Sequence, residues 1–91
     1  MNFRWDPRKA IANARKHGVT VREVATILRD PLSTTFPDVE HSQDEQRYAT
    51  IGLSSEEKLL VVAHTERDDE IRIISARRAT KAEHRFCEEK T

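Results

Sequence analysis

One stretch limits the folds open to this chain more than any other: Ile71-Arg72-Ile73-Ile74-Ser75-Ala76-Arg77-Arg78-Ala79-Thr80-Lys81-Ala82-Glu83. It begins as a strand, because Ile71, Ile73 and Ile74 are β-branched and close together. It ends as a helix start, because Thr80 and Glu83 have capping-box spacing, in which each side chain accepts the other's backbone N–H. Arg72 stands inside the strand, and Ser75, Arg77 and Arg78 stand between strand and helix. A guanidinium in an otherwise apolar strand needs a carboxylate, a wet face or an anionic ligand. The segment therefore reads as an anion-facing junction, and the rest of the chain as the scaffold that presents it.

Upstream, two further helix starts are written into the sequence. Asp6-Pro7 is an N-cap followed by proline at the first helical position, and the helix is expected from Pro7 to about His17, with Gly18 as a left-handed C-cap. Its apolar stripe is thin: Ala10, Ile11 and Ala14. Thr20 and Glu23 form a second capping box, flanked by Val19 and Val24 at the positions of a hydrophobic staple. Val21, Val24, Ala25, Ile27 and Leu28 give that second helix the strongest 3.6-residue stripe in the chain, and Asp30-Pro31 ends it. Phe3-Arg4-Trp5 is a short strand candidate. Ser33–Phe36 reads as a polar edge strand closed by Pro37. An acidic loop over 38–45 leads into three strands of an antiparallel meander, Arg47–Leu53, Leu59–Thr65 and Ile71–Ala76. A last helix from Lys81 to about Glu89 is expected to bury Ala82, Phe86 and the methylenes of Arg85. Strict alternation puts Ile71, Ile73, Ser75 and Arg77 on one face and Arg72, Ile74 and Ala76 on the other.

The 91 residues make one domain, 1–91, with a modest core. Hydrophobic residues are 36% and charged residues 35%, against roughly 45–50% and about 25% in ordinary globular domains, so a partner is expected to complete the fold. Formal net charge is zero, but the charge is segregated. Arg4, Arg8, Lys9, Arg15 and Lys16 face only Asp6 over residues 1–18, and Arg72, Arg77, Arg78, Lys81 and Arg85 face only Glu83 over 71–87. Between them, Asp30, Asp38, Glu40, Asp44 and Glu45 have no Lys or Arg among them. Two basic ends around an acidic middle suit one face for a polyanion and one for a basic partner, or equally a solvated surface. The single cysteine, Cys87, excludes an internal disulfide. The best apolar run, Leu59–Ala63, is far too short to span a bilayer, and with no signal peptide the expected location is cytoplasmic.

Taken in order, several segments carry a family resemblance. They are Phe3-Arg4-Trp5-Asp6-Pro7, Asn13, Lys16-His17-Gly18-Val19, Arg29-Asp30-Pro31, Asp44-Glu45-Gln46-Arg47, Ile51-Gly52, Val61-Val62, His64-Thr65 and Ile71 through Thr80. No single segment is specific, but over nearly the whole chain the ordered set resembles BrnT-type toxins of type II toxin–antitoxin pairs. The resemblance implies an α+β, RelE-like fold, with an N-terminal helical hairpin packed on a small antiparallel sheet and a C-terminal helix. It implies an endoribonuclease that needs no metal or other cofactor. It also implies a BrnA-like antitoxin with a ribbon-helix-helix part, through which alone the complex reaches operator DNA. One departure stands out: where the family often has a tyrosine near the end of the last helix, this chain reads Phe86-Cys87-Glu88. It leaves open a non-catalytic module that binds a partner or nucleic acid within a co-repressor complex.

Metal-free cleavage uses the RNA's own 2′-hydroxyl as nucleophile, and needs a proton acceptor and cations for the crowded phosphorane. Arg47, Arg72 and Arg77 are the candidate cations, because a guanidinium matches two phosphate oxygens and stays charged. His17 is the candidate for proton transfer, or else a histidine capping the helix end. Lys16, Ser75, Arg78 and His64 are candidate RNA contacts. The alternatives are a solvated lysine, backbone contacts at the strand end for Ser75 and one of Arg77 and Arg78, and a satisfied strand histidine. For Arg72 the alternative is a cross-strand pair with Asp44 or Glu45, and Glu83 is assigned to capping. Phe3 and Trp5 read as core rather than as base-stacking platforms. His84 and Cys87 are half of a zinc site without a second half, so no metal site is expected.

Overall fold

The computed structural model describes residues 2–41 and 45–90. Five strands, β1 (Asn2–Arg4), β2 (Thr34–Pro37), β3 (Arg47–Leu53), β4 (Leu59–Arg67) and β5 (Glu70–Arg78), form one sheet in the order β1-β5-β4-β3-β2. Helices α1 (Pro7–His17) and α2 (Val21–Arg29) follow β1, and α3 (Lys81–Lys90) ends the chain. The three strands of the expected meander, β3 to β5, pair antiparallel, and β2 adds to β3 in the same sense at the edge. The short β1 instead runs parallel to β5, with Phe3 opposite Ile71 and Arg4 opposite Arg72, so the sheet is mixed.

The helix ends form as their sequences dictate. The Asp6 carboxylate accepts from the Arg8 N–H at 2.9 Å, and Gly18, at φ 69°, donates its N–H to the Ala14 carbonyl. Thr20 and Glu23 close their capping box at 3.3 Å in both directions, and the staple residues Val19 and Val24 are both fully buried. Glu23 does more than cap. Its buried carboxylate accepts from the Ser54 hydroxyl at 3.2 Å and lies 3.7 Å from the Lys58 ammonium, tying α2 to the β3–β4 turn. Burial alone would raise the Glu23 pKa. The bonds from Thr20 and Ser54 and the Lys58 charge outweigh it and hold the carboxyl below its usual range.

The core lies on one side of the sheet. Val19, Val24 and Ile27 pack there on Leu60 and Val62 of β4 and Ile71, Ile73 and Ala76 of β5, with Phe3, Trp5 and Leu28 at its rim. Gly52 passes so closely beneath α2 that a Cβ there would collide with the Ser33 side chain and crowd Ile27. Two expected stripes are corrected. Ile11 and Val21 are more than half exposed, and the inward position of α1 goes instead to Asn13. Asn13 accepts from the Ala76 N–H at 3.1 Å and donates to the Ala76 carbonyl at 2.8 Å. Its amide thus acts on the edge of β5 as a neighbouring strand would, at a level that the three-residue β1 does not reach. The last helix also buries less than its sequence suggests: Ala82 and Arg85 are exposed, and Phe86 keeps 40% of its surface while meeting Phe36 edge-on.

Candidate functional site

A bulge in β5 decides which side chains share the open side of the sheet. Ala63 pairs with Ser75 and His64 with Ile73, so Ile74 has no opposite number on β4. An extra residue of this kind reverses the alternation beyond it. Ile71, Ile73 and then Ala76 therefore face the core, while Arg72, Ile74, Ser75 and Arg77 line hollows on the other side. Simple alternation separates Arg72 from Arg77; the bulge reunites them.

The register lays Arg4, Arg72, Thr65 and Arg47 in one row across β1, β5, β4 and β3. With strands spaced about 4.8 Å apart, Arg72 and Arg47 stand about 10 Å apart at the backbone, within reach of a phosphate held between two long guanidinium side chains. Two hollows open along this face. One, of about 430 Å³, is lined by Arg47, Ser75, Arg77 and Glu83 among others. The other, of about 550 Å³, is lined by Arg4, Trp5, Lys9, Glu45, Arg47 and Arg72 among others. Arg47 and Ile74 belong to both, so the two adjoin.

The charges here are held unequally. Arg77 makes a two-pronged pair with Glu83, at 2.7 and 3.0 Å, and also donates to the Arg78 carbonyl. Glu83 simultaneously caps α3 by accepting from the Thr80 N–H at 2.8 Å. Hydrogen bonding from Arg77 leads the causes that bring the Glu83 carboxyl down to about 2, and the same contact raises the Arg77 pKa further. The assignment of Glu83 to capping was therefore half of its role. Arg72 is looser. Its nearest carboxylate is Glu70, at 4.0 Å, which it shares with Arg4 at 3.6 Å. The expected pairing with Glu45 is not made, because Glu45 goes to Arg67 at 3.2 Å, and Asp44 lies outside the described residues.

Of the residues nominated from sequence, Arg47, Arg72, Arg77 and Ser75 gather on this face, and the Ser75 hydroxyl has no hydrogen-bond partner among the described residues. Arg78 is exposed just beyond them. His64 is not among them. It is 1% exposed on the core side, its Nε2 lies 2.7 Å from the Thr50 hydroxyl, which is in turn 2.7 Å from that of Thr35, and the Tyr48 ring stacks on it. Its Nδ1 is buried with no hydrogen-bond partner, 3.9 Å from the Glu66 carboxylate, and burial pushes its pKa down to about 4. Nor do His17 and Lys16 line either hollow: His17 is half-buried, while Lys16 points outward on the last turn of α1. Arg4, Lys9 and Trp5, which the sequence did not nominate as site residues, also line this face.

A larger hollow, about 670 Å³, lies between α2, β3 and α3. It is mostly apolar and holds Leu32, Leu53, Leu59, Phe86 and Cys87 but none of the arginines. Among the described residues, no three His, Cys, Asp or Glu side chains are grouped as ligands for one metal ion, and no helix is long and apolar enough to cross a membrane.

Comparison with known proteins completes the assignment. The chain resembles a solved structure, the crystal structure of the Brucella abortus ribonuclease toxin BrnT. The two are 23% identical, with a TM-score of 0.69 over 89% of this chain and 99% of that one, so they share a fold. No curated protein sequence matches. The family model described as "Ribonuclease toxin, BrnT, of type II toxin-antitoxin system" matches residues 5–83, a span that takes in Arg47, Arg72, Arg77 and the bulge. The chain belongs to the BrnT family of ribonuclease toxins of type II toxin–antitoxin systems.

Proposed function

We propose that this toxin cleaves RNA without a metal, by attack of a 2′-hydroxyl on the neighbouring phosphodiester, and stops growth until an antitoxin covers it. The observation that carries this reading is the convergence of Arg47, Arg72 and Arg77 on one open face. Attack of the 2′-oxygen on phosphorus forms a crowded phosphorane, and collapse leaves a 2′,3′-cyclic phosphate and a 5′-hydroxyl. Guanidiniums fixed around the non-bridging oxygens stabilise that charge more than they stabilise the diester, which lowers the barrier. Arg77, braced by Glu83, is the preorganised member of the group. Arg72 and Arg4, sharing one distant carboxylate, leave positive charge for the substrate. Glu83 is ionised at neutral pH and engaged by Arg77, and His17 and His64 line neither hollow.

An antitoxin of the BrnA kind, with a ribbon-helix-helix part, is the proposed partner. The half-exposed Phe86 and Phe36 beside the arginine hollow give it apolar anchors, and the pair would act in the cytoplasm and meet operator DNA only as a complex. The test is incubation of the purified chain with end-labelled RNA in EDTA. Fragments ending in 2′,3′-cyclic phosphate are expected. Cleavage abolished by EDTA, or fragments with 3′-hydroxyl ends, would overturn the mechanism. RNA bound by the antitoxin complex but never cut by the free chain would favour the non-catalytic co-repressor reading.

A further inference from the structure

We propose that the hollow where the start of α1 meets β5 is a nucleotide subsite. It would hold the unit of single-stranded RNA next to the one being cut, with Lys9 and Arg72 on its phosphate and the Trp5 ring along its base. The hollow, about 550 Å³, is of the size that holds a small ligand. It sets Arg4, Lys9, Arg47 and Arg72 around Trp5, with Glu45 on its wall. Trp5 is half-buried: it packs against the core and also lines the hollow, and an aromatic wall takes any base because every base has a π-face. Lys9 is exposed and has no carboxylate partner among the described residues, so its ammonium is available to a phosphate.

The setting extends the site along the strand. Lys16 follows Lys9 by seven residues, two helical turns, so the two ammonium groups stand about 10 Å apart on the same flank of α1. Between them, Asn13 is bonded to both backbone groups of Ala76, which fixes α1 beside β5. RNA lying across the arginine hollow and passing Arg47 would enter this hollow next, because Arg47 and Ile74 line both. The inference rests on the ribonuclease reading only in taking the bound strand to be the one that is cut.

Trp5 is the chain's one tryptophan, so its emission reports this hollow alone. The probe is a 2′-O-methyl RNA hexamer, which lacks the attacking hydroxyl and cannot be cut, titrated into the full chain. Duplex DNA and inorganic phosphate are the comparison titrants. The expected result is a saturable change in Trp5 emission with the hexamer and none with phosphate alone. Lys9→Gln should weaken binding several-fold and reduce the slope of log affinity against log salt by about 0.7, one phosphate contact on a single strand. Lys81→Gln with Arg85→Gln, exposed cations on α3, should leave both unchanged. The proposal is overturned if the hexamer binds by anisotropy without moving Trp5 emission, if it does not bind, if Lys9→Gln matches the parent, or if only duplex DNA responds. Cleavage of ordinary RNA without a Trp5 response would sink the subsite and spare the ribonuclease reading. A Trp5 response without cleavage would do the reverse.

Discussion

Asn13→Ala is the perturbation that best tests how α1 is held beside the arginine face. Asn13 is 8% exposed, and its amide satisfies both the N–H and the carbonyl of Ala76, a residue with no exposed surface. Truncation removes both partners at once and leaves a buried donor and a buried acceptor open. Each such group costs about 1–3 kcal/mol, and partial entry of water lowers the sum, so a loss of about 2–4 kcal/mol is expected. With a urea slope of about 2 kcal/mol/M, the unfolding midpoint should fall by about 1–2 M. Asn13→Asp should not rescue it, because a carboxylate accepts from the Ala76 N–H but faces the Ala76 carbonyl with a second acceptor. The assay is urea unfolding followed by far-UV circular dichroism, with Ile11→Ala, an exposed neighbour on the same helix, as the reference. An Asn13→Ala chain within about 0.5 kcal/mol of the parent would refute the strand-mimic account, placing it with ordinary surface substitutions.

The other predictions concern pH and packing. His64 is held neutral by burial down to about pH 4 but titrates near 6.5 when unfolded, so the unfolded chain binds the extra proton between those values. Stability should therefore be full above about pH 6.5 and fall by about 3 kcal/mol as pH drops to 4. A urea midpoint that is flat across that window, or that falls equally in His64→Gln, would contradict it. Glu83 has the lowered pKa of a paired carboxylate, so the stability it adds is present above pH 4.5 and lost as pH falls toward 2. Glu83→Ala should unseat both Arg77 and the α3 cap, costing about 1 kcal/mol through the cap alone and lowering the thermal midpoint. Gly52→Ala should cost about 1–3 kcal/mol by overpacking against Ser33 and Ile27, with Ser33→Gly in the same chain recovering most of it, as urea midpoints would show.

What the sequence disclosed, and what it withheld, follows from range. The three helix starts and the Gly18 stop were legible because a cap is an agreement between residues two to four apart, and each formed as written. The arginines of the β5 segment were legible as a cluster for the same reason. Their common face was not. Period-two reading has no means of detecting one inserted residue, and Ile74, the inserted one, looks like any strand isoleucine. The role of Asn13 was hidden because its partner is 63 positions away and is a backbone group, which leaves no mark on residue type. For His64 an RNA contact and a satisfied strand histidine stayed open side by side, because a histidine beside Thr65 reads the same whether that strand face is wet or dry. Lys9 counted only toward the basic N-terminal charge, because only the folded chain brings the first turn of α1 to the hollow that Arg72 lines.

In the proposed mechanism, guanidiniums on the open face of the sheet, Arg72 foremost, stabilise the charge on the scissile phosphate. The most direct measurement is the single-turnover rate of RNA cleavage by Arg72→Ala beside the parent chain, with circular dichroism confirming an unchanged fold. Loss of one charge donor to the transition state should slow cleavage by about 100-fold or more and relieve growth inhibition. A soluble, folded Arg72→Ala chain that cuts RNA at the parent rate would contradict the account.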